Sequence, residues 1–351
     1  MAEDMSHFIE NQYDFVVSLR RNNFDIKGFF TMNGKKKVLV TMLPLNDAHL
    51  AQLKEAAGDG CELVYKQKGL TADDVRDAAA IVGNVPPALL PDCKALELLQ
   101  LNSAGADPYG QPGKLPEGAR LTCASGAYGL TVSEHMLAMT FSLVRHFEQY
   151  ARKQAARDWS ACGNIISVEG ATILLMGLGD IGGMYARKAH ALGAHVIGLR
   201  RHLGDKPDYL DELHTMDDLD SLLPRADIVA MVLPGGAATN HLMDERRLRL
   251  MKKGALLINA GRGNAIDPEA LKKVLRDGHL GAVALDVTEP EPLPAGDELW
   301  NFDNVLITPH VAGWFFLSKT MDRIVDIAAQ NLRAWTTGGA LIREVDVKKG
   351  Y

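Results

Sequence analysis

From Lys35 onward the chain alternates short apolar runs with amphipathic stretches. KVLV reads as a buried strand, and NDAHLAQLKEAAG as a helix with Asn46 or Asp47 as its cap and Gly58 as its stop. CELVYK and AAAIVG read as further strands, followed by ALELLQLN, so the residues up to about Leu101 form one small α/β unit. TVSEHMLAMTFSLVRHFEQYARKQAA reads as the longest helix. Thr131 and Glu134 make a T-x-x-E capping box at its start, and Leu137, Phe141 and Val144 share one face. That pattern suits a helix bridging two domains as well as a plain core helix. After Gly170 a second unit begins with the strand ATILLMG, a helix from Ile181 to Leu192, and the strand HVIGL. ADIVAMVLP, GALLINAG, AVALDV and NVLITPH follow, each separated from the next by helix-like sequence. Such runs predict a parallel sheet covered on both faces. One helix in this unit is capped by Asp267, has Pro268 in its first turn and ends at Gly278. KTMDRIVDIAAQNLRAW is predicted to fold back near the N-terminal unit. Residues 1–36 read as an extension in which HFIENQYDFVVSLRRNNF has the pattern of a short amphipathic helix, packed on the surface or held for a partner.

Composition narrows the class. The 351 residues are 47% hydrophobic and 23% charged, enough for about two domains with a large core. A net charge of −6 argues against a nucleic-acid surface. No apolar run approaches the roughly 18 residues of a membrane span. The start, MAEDMSHFIENQYD, is acidic where a secretion signal is basic and then apolar. Cys61, Cys93, Cys123 and Cys162 are scattered without a C-x-x-C pair, which fits reduced thiols in a cytoplasmic protein and no metal site.

The first chemical signal is Gly177-Leu178-Gly179-Asp180-Ile181-Gly182, a G-x-G-x-x-G that follows a predicted strand and opens a predicted helix. Gly177 permits the tight turn, Gly179 lets a pyrophosphate approach the backbone, and Gly182 lets helix and strand pack closely. The helix N-terminus, beginning with Asp180 and Ile181, favours the anion. The next strand ends in VIGLRRH, where a dinucleotide site usually carries an acid for the adenosine ribose. Arg200, Arg201 and His202 stand there instead. A guanidinium holds a phosphate by two charge-assisted bonds, so the stretch favours NADP(H), with NAD(H) still possible. At about 1.5–3 kcal/mol per charged hydrogen bond, one or two such bonds give roughly tenfold to several-hundredfold preference.

Three late strands run into reactive residues: GALLINAG into Arg262, AVALDV into Thr288-Glu289-Pro290-Glu291, and NVLITP into His310. Ligands of open α/β sheets bind at these carboxyl ends. His310 can protonate the alkoxide left by hydride transfer, a paired carboxylate would raise its pKa, and Arg262 can grip a carboxylate and polarise a neighbouring carbonyl. The set suits reduction of a 2-oxo acid. On chemistry alone either glutamate could serve.

GLGDIGG, INAGRG, ALDVTEPEP and ITPHVAG, in that order, resemble the NAD(P)-dependent D-2-hydroxyacid dehydrogenase family, and NSAGAD at 102–107 resembles its substrate loop. The resemblance covers about Lys36 to the C-terminus, and the missing acid at Arg200 is similar to the glyoxylate/hydroxypyruvate reductase branch. It implies Arg262 as the substrate-binding arginine, His310 as the acid/base and Glu291 as its partner. It implies substrate-carboxylate binding by the amides of Ala104 and Gly105. Cofactor contacts are implied at Pro234, Ala260, Asp286 and Gly313, with Asp286 on the nicotinamide carboxamide. It also implies a homodimer through the cofactor domain, with the long helix and the arm around Trp159 contributing. Trp314 suits either a substrate pocket or plain packing.

The expected architecture is α/β, with two Rossmann-like domains. A doubly wound, parallel-sheet cofactor domain (127–313) is inserted into a smaller flavodoxin-like substrate domain (37–126 and 314–351), after an N-terminal extension (1–36). The expected activity is NADPH-preferring reduction of a small 2-oxo acid of the glyoxylate or hydroxypyruvate type to the D-2-hydroxy acid. The expected partners are that small substrate and a second copy, with no nucleic acid and no membrane. Alternatives are an NAD-dependent D-3-phosphoglycerate or other D-2-hydroxyacid dehydrogenase, and a cofactor-sensing binding protein of the corepressor kind.

Overall fold

The computed structural model describes residues 34–346 other than 43, 107, 108, 112, 315 and 316. The amphipathic helix expected before Lys35 lies outside the described residues, as does Asp107 of the loop NSAGAD.

Two parallel sheets organise the chain. The first holds β1 (Lys36–Val40), β2 (Cys61–Tyr65), β3 (Ala78–Val82), β4 (Leu98–Gln100) and β5 (Arg120–Thr122) in the order β2-β1-β3-β4-β5. This is the flavodoxin-like strand order. The helices α1 (Asp47–Ala57) and α2 (Ala72–Arg76) come between its strands. The side chain of Asn46 caps α1 and Gly58 ends it, as the sequence predicts. After β5 come α3 (Gly129–Arg145) and α4 (Phe147–Ala156).

The second sheet holds β6 (Thr172–Met176), β7 (His195–Arg200), β8 (Glu212–Thr215), β9 (Ile228–Met231), β10 (Leu256–Asn259), β11 (Ala282–Leu285) and β12 (Val305–Ile307). Its order, β12-β11-β10-β9-β6-β7-β8, is doubly wound. The chain builds outward from β6 through β7 to β8, then crosses to β9 and builds the other way. Doubly wound sheets bind ligands at this reversal, beside the carboxyl ends of the central strands. The run Ile173, Leu174, Leu175 and Met176 is fully buried, because helices cover both faces of the sheet. Its helices are α5 (Asp180–Ala191), α6 (Leu219–Leu222), α7 (Glu245–Leu250) and α8 (Pro268–Arg276). The side chain of Asp267 caps α8 and Pro268 occupies its first turn, as expected.

The last helix, α9 (Ser318–Thr337), returns to pack on α1, so all the strands of the second sheet lie in the chain between two parts of the first half. A buried polar network fixes the return. Asn331 Nδ2 donates to Gln100 Oε1 at 2.6 Å and to the Ile342 carbonyl at 3.0 Å, and Ile342 N donates to Asn331 Oδ1 at 2.8 Å. Thr122 Oγ1 donates to the same Gln100 oxygen at 2.7 Å.

Three expectations about the helix at 131–156 are corrected. It begins earlier, at Gly129, so Thr131 is an interior residue. The Thr131 hydroxyl donates to the Ala312 carbonyl at 3.2 Å and Glu134 faces Lys188 at 3.5 Å, so neither serves as a capping-box member. The helix also breaks at His146, which adopts a left-handed conformation (φ 58°) and closes α3. With that break the longest described helix is α9, at 20 residues. Among the described residues no helix is long and apolar enough to cross a membrane.

Asn331→Ala removes one of the two donors to the buried Gln100 Oε1 and both bonds to the more exposed Ile342 backbone. At about 1 kcal/mol for a net hydrogen bond, the variant is expected to lower the urea midpoint of the protein. An unchanged midpoint would show that the network carries no net stability.

Candidate active site

The carboxyl ends of β6, β7, β9, β10, β11 and β12 meet along one edge of the second sheet. The glycine turn after β6 has three distinct environments. Gly177 has φ 103°, and a Cβ there would come within 2.8 Å of the Val232 carbonyl oxygen. A Cβ at Gly182 would sit 1.9 Å from the Gly177 carbonyl oxygen, so only glycine lets α5 approach β6 this closely. A Cβ at Gly179 would meet nothing within 4 Å. The turn is thus tight at Gly177 and Gly182 and open at Gly179, where a pyrophosphate has room beside the start of α5. Ile181 packs on the core. The Asp180 carboxylate lies against Gly129, whose Cβ would fall 2.4 Å from Asp180 Oδ1. It therefore sits near the first turns of both α3 and α5, where a negative charge is favoured.

At the end of β7, Arg200 Nε donates to the His202 carbonyl at 2.5 Å, and its guanidinium fills the space beside Gly204. Arg201 and His202 are exposed on the same turn. Pro234 is exposed after β9, its carbonyl accepting from Thr239 Oγ1 at 2.8 Å. Ala260 is buried after β10, its amide donating to the Met231 carbonyl at 3.0 Å.

Asp286, just past β11, is 2% exposed. Its Oδ1 accepts from Thr308 Oγ1 at 2.7 Å, Val311 N at 2.9 Å and Ala312 N at 3.2 Å, and its Oδ2 from Ala312 N at 3.1 Å. Its carbonyl accepts from His310 N at 2.8 Å. This one residue shapes the loop after β12 and holds His310 at φ 52°, a left-handed conformation that costs a non-glycine residue on the order of 1 kcal/mol. His135 Nε2 reaches Thr308 Oγ1 at 3.0 Å from α3.

His310 Nδ1 pairs with Glu291 Oε1. Glu289 points elsewhere, its Oε2 lying 2.6 Å from His241 Nε2. The two glutamates that chemistry alone left equivalent thus have different histidine partners. The hydrogen bond to Glu291 holds the His310 pKa above the ordinary histidine value; burial opposes this, the Glu291 and Asp286 charges add to it, and the Arg262 charge subtracts. The Arg262 guanidinium itself donates from Nη1 to the Gly261 carbonyl at 2.9 Å.

The Arg262 loop is pinned by a residue that sequence reasoning missed. Asn259, 1% exposed, donates from Nδ2 to the Arg262 carbonyl at 2.8 Å and accepts from Gly261 N at 3.0 Å. A Cβ at Gly263 would lie 1.9 Å from the Thr288 carbonyl oxygen, so the Arg262 loop rests directly on the loop that carries Glu291. The available signal was an amide side chain closing the otherwise apolar strand LLIN.

The loop after β4 faces this edge from the first sheet. Asn84 and Asn102 exchange bonds, Asn84 N to Asn102 Oδ1 at 2.7 Å and Asn102 N to Asn84 Oδ1 at 3.2 Å. Ser103 Oγ donates to the Gly105 carbonyl at 2.7 Å, and Ala124 N to the Ser103 carbonyl at 2.9 Å. Among the described residues the amides of Ala104 and Gly105 have no acceptor, so both are free to meet an anion. Tyr128, also missed from the sequence, donates its hydroxyl to the Asn102 carbonyl. A Cβ at Gly313 would lie 3.3 Å from Tyr128 Cδ1. No group of metal-binding side chains occurs among the described residues.

Comparison with known proteins agrees with this fold. The family profile described as D-isomer specific 2-hydroxyacid dehydrogenase, NAD binding domain, matches residues 137–312. The chain is 30% identical over 322 residues to a protein named glyoxylate reductase from Thermofilum pendens, covering 87% of this chain and 92% of that one. A D-isomer specific 2-hydroxyacid dehydrogenase family protein from Aeromonas salmonicida superposes with a TM-score of 0.77 at 29% identity, over 89% of this chain and 99% of that one. A D-isomer specific 2-hydroxyacid dehydrogenase from Xanthobacter autotrophicus, in complex with NADPH and MES, superposes with a TM-score of 0.75 at 25% identity, over 91% of this chain and 100% of that one. This chain belongs to the D-2-hydroxyacid dehydrogenase family: it is an oxidoreductase that acts on CH–OH donors and uses a nicotinamide cofactor.

Proposed function

We propose that the chain reduces a small 2-oxo acid of the glyoxylate or hydroxypyruvate type to the D-2-hydroxy acid, with NADPH preferred. The observation that carries this reading is the His310–Glu291 pair, within the field of Arg262, on the sheet edge that also bears the glycine turn. The name of the Thermofilum pendens relative and the NADPH in the Xanthobacter autotrophicus structure support it.

A reduced nicotinamide cofactor held at the glycine turn would supply the hydride for the substrate carbonyl carbon. Around it the chain's own groups divide the work. The free amides of Ala104 and Gly105 accept the substrate carboxylate, and Arg262 holds the carboxylate and carbonyl by charged hydrogen bonds. His310, protonated because Glu291 stabilises the imidazolium, gives its Nε2 proton to the developing alkoxide. Asp286 holds the loop that carries His310 and would help hold the nicotinamide carboxamide of a bound cofactor. Gly177, Gly179, Asp180, Ile181 and Gly182 form the pyrophosphate turn, with Pro234, Ala260 and Gly313 along the rest of the cofactor. Arg200 shapes the turn that presents Arg201 and His202 to a 2′-phosphate. In this reading 37–126 with 314–351 is the substrate domain and 127–313 the cofactor domain. The enzyme is a cytoplasmic homodimer whose contact surface takes in the exposed Phe147, Trp159, Ile165 and Ile166.

A panel of 2-oxo acids assayed with both cofactors tests the reading. Glyoxylate or hydroxypyruvate is expected to turn over, with kcat/KM for NADPH exceeding that for NADH by roughly tenfold to several-hundredfold. Arg200→Ala combined with Arg201→Ala is expected to bring the ratio near one. A clear NADH preference in the unaltered enzyme overturns the cofactor assignment, and inertness to the whole panel overturns the activity.

Reduction needs the imidazolium, so kcat/KM for the oxo acid is expected to stay level at low pH and to fall as pH rises through the raised His310 pKa. Glu291→Gln removes the charge that raises it. The descending limb should then begin at lower pH, and a limb that stays in place overturns Glu291 as the partner.

A further inference from the structure

We propose that Tyr128 is a positioning residue for the reaction, one that holds the carboxylate-binding loop in register with the loop bearing His310. The inference rests on the reading above for the meaning of the two loops, but its structural basis is independent of turnover. Tyr128 stands where the chain leaves the first sheet, immediately before α3, and is 7% exposed. Its hydroxyl donates to the carbonyl of Asn102, two residues before Ala104. The amide of Ala124, four residues earlier in the same segment, donates to the next carbonyl, that of Ser103. The segment 124–128 therefore grips the start of the loop at two successive carbonyls. The Tyr128 ring also lies against Gly313, three residues beyond His310, where a Cβ would fall 3.3 Å from Cδ1 and 3.6 Å from Val132 Cγ2. Thr131 Oγ1, in the next turn, donates to the Ala312 carbonyl at 3.2 Å. One buried ring thus touches both loops that have to face a substrate from opposite sides.

The chemistry suits the task. Burial pushes the Tyr128 phenol pKa far up, so it remains a neutral donor across working pH. Among the described residues the hydroxyl has one hydrogen-bond partner and the ring is buried in the core, so phenylalanine would keep the packing while removing the bond. Without the bond the Asn102 carbonyl is free to turn, and the amides of Ala104 and Gly105 lose their aim. Those amides grip the carboxylate in both ground and transition states, so their loss raises KM more than it lowers kcat.

Tyr128→Phe in the full-length protein tests this. KM for the 2-oxo acid is expected to rise about tenfold, the cost of one modest hydrogen bond, with kcat within about twofold and the NADPH Kd unchanged. Hydrogen exchange at the amides of Asn102 and Ala124 should quicken, while the amides of β6 and β9 keep their rates. Unchanged exchange at Asn102 and Ala124 overturns the proposal even in a protein that reduces nothing. A fall in kcat at constant KM overturns it too, because the residue would then act on the chemical step. Faster exchange in a protein whose unaltered form is inert to every oxo acid supports the loop contact and overturns only the proposed activity. Tyr128→Met, which keeps most of the buried volume and likewise lacks the hydroxyl, is expected to give the same KM-selective change and reports separately if Tyr128→Phe fails to fold.

Discussion

A buried carboxylate is the constraint on which the rest of the site depends. Asp286 is almost wholly out of water, and a charge in that position is tolerated only when hydrogen bonds replace its hydration. The structure supplies them from one short loop: a hydroxyl at Thr308 and the amides of Val311 and Ala312. Once these donors converge on the anion, the backbone between them has little freedom, and His310 is carried into a left-handed conformation that its own side chain would not choose. The unusual backbone of the histidine is thus a by-product of satisfying the aspartate.

The loops on either side are fitted to that centre. Gly263 has no side chain because the Thr288 carbonyl occupies the space, so the turn carrying Arg262 lies on the turn carrying Glu291. Asn259 ties the Arg262 turn from beneath. Along Thr288-Glu289-Pro290-Glu291 the two acids take different histidines, His241 and His310, and the Thr288 hydroxyl donates to the Pro290 carbonyl at 2.9 Å between them. The turns that carry Arg262, Glu291 and His310 are tied to one another through backbone contacts of this kind, between residues with no chemistry of their own.

Much of this was legible in advance, and for a physical reason. Strands buried on both faces must be continuous apolar runs, so β6, β9, β10, β11 and β12 stand out in the sequence. The reactive residues follow directly from where those runs stop. β5, RLT, and β8, ELHT, went unseen: one is three residues long and the other is half-buried, so neither has a distinctive pattern. The helix at 131–156 was read as unbroken because its amphipathic spacing continues through His146, and a single left-handed residue leaves no trace in periodicity. Thr131 and Glu134 have the right spacing for a cap, but tertiary partners, Ala312 and Lys188, claimed both side chains. Tyr128 and Asn259 act by holding backbone carbonyls, and contacts of that sort depend on the assembled fold.

The doubly wound sheet is inserted in the chain, so only two covalent connections join the halves: one passes Tyr128, the other passes Gly313, and the two residues touch. Connections that lie side by side behave as a pivot, and any swing of one half against the other has to turn about that point. Atoms near a pivot travel least. His310, three residues from Gly313, lies close to that point and would move least in any such swing.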